Sequence, residues 1–271
     1  MNVQVDTVQT AAFTMDYCRF GQGREPLVIL PGLSVQRVMG SAEGIAEAYR
    51  LLAEVFTVYV FERRNELPPA YSPGDMAEDT AAALQCLGLG PVNLFGASQG
   101  GMMAMELAIR YPSLVKKLIL GSTSARLGQG SLSLFASWRG LAESGDAEAL
   151  YLSFGEALFP RPFFERSRQL LLDAAKAVTE EDLCRFRILA GGMEGLDLLG
   201  DLERIACPVL VLGARDDSVL GGEASLQIAE RLGRGTACAL HMYGGYGHAA
   251  YDLAPDYKER MLRFLTAEMP A

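Results

Sequence analysis

The chain has 271 residues, of which 50% are hydrophobic and 21% charged, an ordinary globular composition. A chain this long can bury a full core without a disulfide or metal staple. Its net charge of −9 argues against a nucleic-acid or anionic-membrane partner.

The first residues, Met1-Asn2-Val3-Gln4-Val5-Asp6, lack a basic region followed by an apolar run, so no signal peptide is expected. No apolar stretch approaches the roughly 20 residues needed to span a bilayer, and the expected location is the cytoplasm. The alternation of apolar and polar residues predicts strands at about Val3–Gln9 and Ala12–Phe20, followed by a turn at Gly21-Gln22-Gly23. Pro26–Leu30 is continuously apolar, as in a strand covered on both sides, and Pro31-Gly32 ends it. A helical pattern covers Ala42–Glu54, and Thr57–Phe61 reads as another buried strand. The alternation then repeats. A helix is expected near Asp75–Leu87, a strand at Val92–Phe95, a helix at Gln99–Arg110 and a strand at Lys117–Leu120. Later come a strand at Pro208–Leu212, a helix at Gly222–Leu232, a strand at Ala237–Tyr243 and a helix at Asp256–Thr266. Strands alternating with helices imply an α/β fold, with a mainly parallel sheet and helices on both faces.

Between Ser124 and Asp201 no buried strand is evident. Helical patterns occur near Leu132–Glu143, Ala147–Leu158, Pro162–Lys176 and Thr179–Gly191, punctuated by Phe159-Pro160-Arg161-Pro162. This stretch is far longer than a crossover needs, which points to a lid over an active site.

Gly96-Ala97-Ser98-Gln99-Gly100 matches G-x-S-x-G, the turn that presents a nucleophilic serine between a strand and a helix. The chain must turn sharply there, and side chains two residues before and after the serine would clash. A serine hydroxyl needs a base, and the chain has only two histidines. His241 lies inside a predicted strand, where packing would fix it. His248 follows Gly244-Gly245-Tyr246-Gly247, a loop just past a strand end, where catalytic groups of open α/β sheets gather. His248 is therefore the expected base. The orienting carboxylate is expected at Asp216 or Asp217, beyond the strand at Pro208–Leu212, which gives the chain order Ser, Asp, His. The five cysteines show no CxxC pair and are expected to be mostly buried free thiols rather than a zinc site or disulfide framework.

On Val28–Gly32, Gly96–Gly101, Pro208–Asp216 and Gly247-His248, the chain resembles the α/β-hydrolase superfamily, especially its small esterase, lactonase and peptidase-like members. The resemblance implies an eight-stranded, mainly parallel sheet. It also implies a hydrolase core at 1–123 and 202–271 with a helical cap inserted at 124–201. In that family the acid commonly lies three residues after the glycine ending the strand; Gly213 plus three gives Asp216. The implied oxyanion hole is the N–H of Gln99 and that of Leu33, with Ser34 as an alternative to Leu33. Two departures stand out. Pro31-Gly32 replaces a frequent His-Gly, and Phe61-Glu62-Arg63-Arg64-Asn65-Glu66 lacks the glycines of the usual Asp-x-Arg-Gly-x-Gly stretch. Glu62, Arg63 and Arg64 are expected to form an exposed charged turn.

The expectation is a cofactor-independent serine hydrolase cleaving a small-molecule ester or related acyl compound with Ser98, Asp216 and His248, and with no metal. A proline-releasing aminopeptidase would need an acidic pocket for the substrate amine, for which Glu156, Glu165 and Glu194 are candidates. A lactonase, a carbon–carbon bond hydrolase and a ligand receptor on a hydrolase fold are the other readings; turnover would separate the receptor from the enzymes.

Overall fold

The computed structural model describes residues 1–268; the last three positions of the expected 202–271 segment lie outside the described residues. In chain order, β1 (Gln4–Gln9), β2 (Thr14–Gly21) and β3 (Glu25–Leu30) come first. They are followed by α1 (Ala42–Ala48), α2 (Arg50–Ala53), β4 (Phe56–Arg64), α3 (Pro73–Cys86), β5 (Val92–Ala97), α4 (Gln99–Arg110) and β6 (Val115–Gly121). Four helices then intervene: α5 (Gln129–Glu143), α6 (Ala147–Leu158), α7 (Arg161–Ala175) and α8 (Glu180–Gly191). The sheet resumes with β7 (Val209–Ala214), α9 (Gly222–Leu232), β8 (Cys238–Tyr243), α10 (Ala250–Leu253) and α11 (Tyr257–Thr266).

The eight strands form one sheet in the order β1-β2-β4-β3-β5-β6-β7-β8. Only β2 runs against the others. The alternation of side chains across a strand sorts the core into two layers. Leu94, Leu118 and Val211 pack on one face with Leu84, Leu107 and Ile228 of α3, α4 and α9. Phe95, Ile119 and Leu212, one residue further along each strand, pack on the other face with Leu52, Tyr257 and Met261. Every residue of β5 and β7 is buried, as continuous apolar runs require, whereas β1 and β8 are mostly uncovered edges. Ser72 and Asp75 form a capping box at the start of α3, and Thr179 and Asp182 do the same for α8. Buried Lys117 donates to the carbonyls of Phe264, Leu265 and Ala267 and so closes the C-terminal end of α11.

Four expectations need correction. The helix expected over Ala42–Glu54 breaks at Tyr49, whose φ and ψ of −106° and 16° are not helical. The strand expected to stop at Phe61 runs on to Arg64, because β4 stays paired with β2 as far as the Met15–Arg64 partnership. Glu62 and Arg63 are consequently buried, each 2% exposed, and do not form an exposed turn. Only Cys18 of the five free cysteines is buried; Cys86 and Cys184 sit on the outer faces of amphipathic helices and are exposed.

The helices α5 to α8 build a third apolar cluster. Phe135, Trp138, Leu183 and Phe186 meet Val35, Met102, Val219 and Leu220, which follow or lie near the carboxyl ends of β3, β5 and β7. The four-helix segment therefore sits over that end of the sheet.

Candidate active site

The chain order of the sheet places the site. From β3 the sheet grows to β4 on one side and to β5 on the other, so the strand order reverses between β3 and β5. The crevice beyond the carboxyl ends of such a pair is where open α/β sheets bind ligands. Here those ends carry Pro31-Gly32-Leu33 and Ser98.

Ser98 turns the chain from β5 into α4 with φ 52° and ψ −121°, a left-handed conformation rare for a residue with a side chain. Such backbone strain persists only where its surroundings over-determine it. The flanking glycines supply that constraint. A Cβ on Gly96 would lie 2.3 Å from the Gly100 carbonyl oxygen, and one on Gly100 would lie 1.9 Å from that of Leu30. The Ser98 N–H donates to Gly121 O at 2.8 Å, which ties the elbow to β6.

His248 Nε2 lies 2.9 Å from Ser98 Oγ, and its Nδ1 lies 2.8 Å from Asp217 Oδ2. The carboxylate facing the histidine is therefore Asp217, not the expected Asp216. Gly213 does not end its strand: it pairs with Met242, Ala214 pairs with Tyr243, and the turn begins one residue later than the glycine spacing implies. Asp216 is exposed and points along the histidine loop, where it accepts the N–H groups of Gly245 at 3.2 Å and Gly247 at 3.1 Å. The second Asp217 oxygen accepts the amides of Val219 at 2.8 Å and Leu220 at 2.9 Å.

These contacts decide the charge of Asp217. Burial alone would raise its carboxyl, but the charge and hydrogen bond of His248 and the two amides outweigh it and hold the group below its ordinary value. With Nδ1–H committed to a carboxylate, Nε2 is left to accept the serine proton. Ser98, His248 and Asp217 are all buried. His241 is remote from them on β8, edge-on to Tyr243 at 4.5 Å between ring centroids.

A cavity of about 10 Å³, room for roughly one water, adjoins Ser98 and His248. Phe135, Trp138, Phe154 and Leu158 from α5 and α6 form much of its wall, with Met193 beyond α8. Leu33, Val219 and Tyr251 complete it. Ser98 and His248 supply its reactive atoms, and none of Glu156, Glu165 or Glu194 lines it. A larger groove of about 740 Å³ lies between α5, α8 and the start of α3, and Glu194 is ion-paired with Arg139 there. That groove shares no residue with the Ser98 cavity, so its size does not make it the reaction site.

Leu33 lines the cavity beside Ser98, and Gln99 opens α4. Among the described residues neither N–H has a protein acceptor. The Ser34 hydroxyl donates to Gln36 O at 2.7 Å. Sequence reasoning missed the polar layer beneath these two amides. Arg63 Nη2 donates to Pro31 O at 2.8 Å and to Gln99 Oε1 at 2.8 Å, while Gln99 Nε2 donates to Leu189 O at 2.7 Å. Glu62 accepts Arg185 of α8 at 2.6 Å and the Val38 amide at 2.7 Å. Burial lowers the Arg63 guanidinium to about 10, which leaves it charged at neutral pH. Among the described residues no cluster of acidic, histidine or cysteine side chains could hold a metal ion, and no helix is long and apolar enough to cross a membrane.

A mostly parallel eight-stranded sheet with a serine at its strand-to-helix elbow defines an α/β-hydrolase fold. The chain belongs to the alpha/beta hydrolase family, whose sequence profile matches residues 27–258. It is 26% identical over 223 residues to the "Putative carbamate hydrolase RutD" of Pantoea ananatis (strain LMG 20103), covering 76% of this chain and 77% of that protein. Among solved structures it is similar to MGS-M2, an alpha/beta hydrolase enzyme from a Medee basin deep-sea metagenome library. That likeness has a TM-score of 0.84 at 19% identity and covers 99% of each chain. The enol-lactonase from Burkholderia xenovorans LB400 superposes with a TM-score of 0.82 at 18% identity, covering 97% of this chain and 100% of that one. At these identities the solved structures speak for the fold.

Proposed function

We propose that this protein is a serine hydrolase that cleaves a small, uncharged ester or related acyl compound through an acyl-enzyme. The observation that carries the reading is the continuous contact from Asp217 through His248 to Ser98 Oγ, 2.8 Å and 2.9 Å long, opening on an apolar cavity. His248 takes the Ser98 proton as Oγ attacks the carbonyl carbon. The Leu33 and Gln99 amides face the oxyanion, and Asp217 stabilises the imidazolium. His248 then protonates the leaving group, and a water deprotonated by His248 releases the acid and restores Ser98. The segment 124–201 acts as a cap that closes the cavity.

The apolar lining favours a neutral acyl group over a charged one. It gives no carboxylate to receive a substrate amine, so the aminopeptidase reading has no support from the site. The RutD relatives carry carbamate hydrolysis in their name, and a neutral carbamate ester is one small acyl compound compatible with this apolar lining. The five free cysteines fit a reducing compartment, in keeping with a cytoplasmic enzyme.

A fluorophosphonate probe tests the assignment. It is expected to label the wild type at Ser98, with labelling and hydrolysis of p-nitrophenyl acetate both abolished in Ser98→Ala. Labelling that survives the substitution overturns the nucleophile. A panel of short esters, lactones and aryl carbamates then ranks the acyl class.

A further inference from the structure

We infer that Arg63 is a positioning residue for the oxyanion hole, acting from behind it on the two peptide units that carry the donors, with Thr123 as its partner on the second unit. The inference rests on the acyl-hydrolase reading above.

The argument starts from the planarity of the peptide. The N–H of Leu33 and the carbonyl of Gly32 belong to one rigid unit, as do the N–H of Gln99 and the carbonyl of Ser98. Holding a carbonyl end fixes the direction of the N–H end. On the first unit, Arg63 Nη2 lies 3.4 Å from Gly32 O and makes a shorter bond of 2.8 Å to Pro31 O, so one nitrogen spans two consecutive carbonyls of the loop. On the second unit, Thr123 Oγ1 donates to Ser98 O at 2.6 Å. Arg63 also reaches this unit through the Gln99 side chain, whose Oε1 it holds at 2.8 Å. Gln99 is itself fully buried and tied at its other end to α8 through Leu189 O.

The choice of residue is informative. Burying a guanidinium is unfavourable unless it is well paired. Arg63 is 2% exposed, and among the described residues it makes no ion pair; its side-chain partners are neutral oxygens. Burial depresses its protonation, as expected of a charge kept where folding alone does not favour it. Two consequences explain its place. A charged donor on a carbonyl polarises the amide and strengthens the N–H at its far end. A positive charge held behind the loop also favours the negative charge that develops on the carbonyl oxygen in the transition state. Both effects grow as the oxyanion forms, so they act on kcat more than on KM.

The test uses the full chain with Arg63→Met, Arg63→Lys, Thr123→Val and Thr123→Ser. On p-nitrophenyl acetate, Arg63→Met is expected to lower kcat by about 10²-fold with KM within about threefold. Arg63→Lys, which keeps the charge, should recover part of the loss. Thr123→Val should lower kcat about tenfold, and Thr123→Ser should restore it. A boronic acid, whose tetrahedral adduct on Ser98 carries an oxyanion, should lose affinity in the same proportion as kcat. The 15N order parameter of the Leu33 amide supplies a readout that needs no turnover, and it should fall from the rigid range of about 0.85 toward about 0.6 in Arg63→Met. If Arg63→Met fails to fold, Arg63→Lys carries the same comparison, because the lysine cannot span both Pro31 and Gln99. The inference is overturned if kcat and boronate affinity stay within twofold of wild type, if the whole loss falls in KM, or if the Leu33 order parameter is unchanged. If the wild type neither labels nor turns over, yet Arg63→Met lowers the Leu33 order parameter, the acyl-hydrolase reading falls and the anchoring stands.

Discussion

The carboxylate of Asp217 lies 2.8 Å from Nδ1 of His248, and its other oxygen accepts two backbone amides of the same turn. Asp216, one residue earlier, instead holds the loop that carries His248 by the amides of Gly245 and Gly247. The two aspartates therefore make separate contacts: one meets the ring and the other meets the loop that carries it. Asp217→Asn is expected to lower turnover by about 10⁴-fold, because the amide no longer enforces the tautomer with a free Nε2. Asp216→Asn should retain activity within about tenfold, since its carboxamide oxygen can still accept one amide. Steady-state turnover of both variants on p-nitrophenyl acetate decides it. A larger loss at Asp216 would show that the geometry at Asp217 is not the one used.

Asp217 should also mark the acid limb of stability. Its carboxyl is held below its unfolded value, so its contribution is present above the unfolded pKa of about 3.9 and is lost as pH falls through the folded value. In that window the unfolded chain binds the proton more readily, and stability rises with pH. The melting temperature of Asp217→Asn should therefore fall less steeply than that of wild type between about pH 4 and pH 2. Parallel melting curves over that range would remove Asp217 from the acid transition.

Ser98 and His248 were legible because their signals are local. A strand, a G-x-S-x-G turn and a helix succeed one another within the chain, and only one of two histidines follows a strand end. The choice between Asp216 and Asp217 was not legible. It turns on whether β7 stops at Gly213 or pairs one residue further, which the partner strand β8 decides. The burial of Glu62 and Arg63 was hidden for a related reason. Charged residues after an apolar run read as a turn, and only pairing with β2 and cover from α8 keep them inside. Donors supplied by tertiary contact, such as Thr123 on Ser98 O, leave no pattern in sequence.

The buried pair of Glu62 and Arg185 bolts α8 to the sheet at 2.6 Å, with side chains 1% and 4% exposed. Removing one partner leaves the other charged and uncompensated. Arg185→Met is expected to destabilise the fold by about 3–5 kcal/mol. Urea unfolding followed by far-UV circular dichroism measures it. A change below about 1 kcal/mol would mean that water reaches Glu62 and that α8 is not held there.

Cysteine reactivity should follow exposure. Cys18 is fully buried, and burial pushes its thiol up to about 11. Cys86 and Cys184 are exposed. Alkylation by iodoacetamide at neutral pH, read by peptide mass, should modify Cys86 and Cys184 first and leave Cys18 unmodified until the chain unfolds. Early modification of Cys18 would contradict the packing of β2 against β4.

The size of the cavity makes a prediction about substrate length. Phe154 of α6 projects into the wall, its ring 4.7 Å from that of Trp138 and 6.1 Å from that of Phe186 between centroids. With about 10 Å³ beside the nucleophile, an acetyl group fits only with a small displacement, and a butyryl group needs the wall to move. Phe154 is the residue to cut because it is only partly buried, whereas Trp138 is fully buried and its truncation would cost about 3–5 kcal/mol of stability. Phe154→Ala should raise kcat/KM for p-nitrophenyl butyrate relative to the acetate by about tenfold, within the range that one or two methylenes command in an apolar pocket. The ratio is the right quantity, because a general loss of packing lowers both esters alike. If the ratio stays at its wild-type value, the acyl chain does not lie against Phe154. The long chain would then enter by displacement of α5 and α6 as a body, and the closed cavity would not set acyl length.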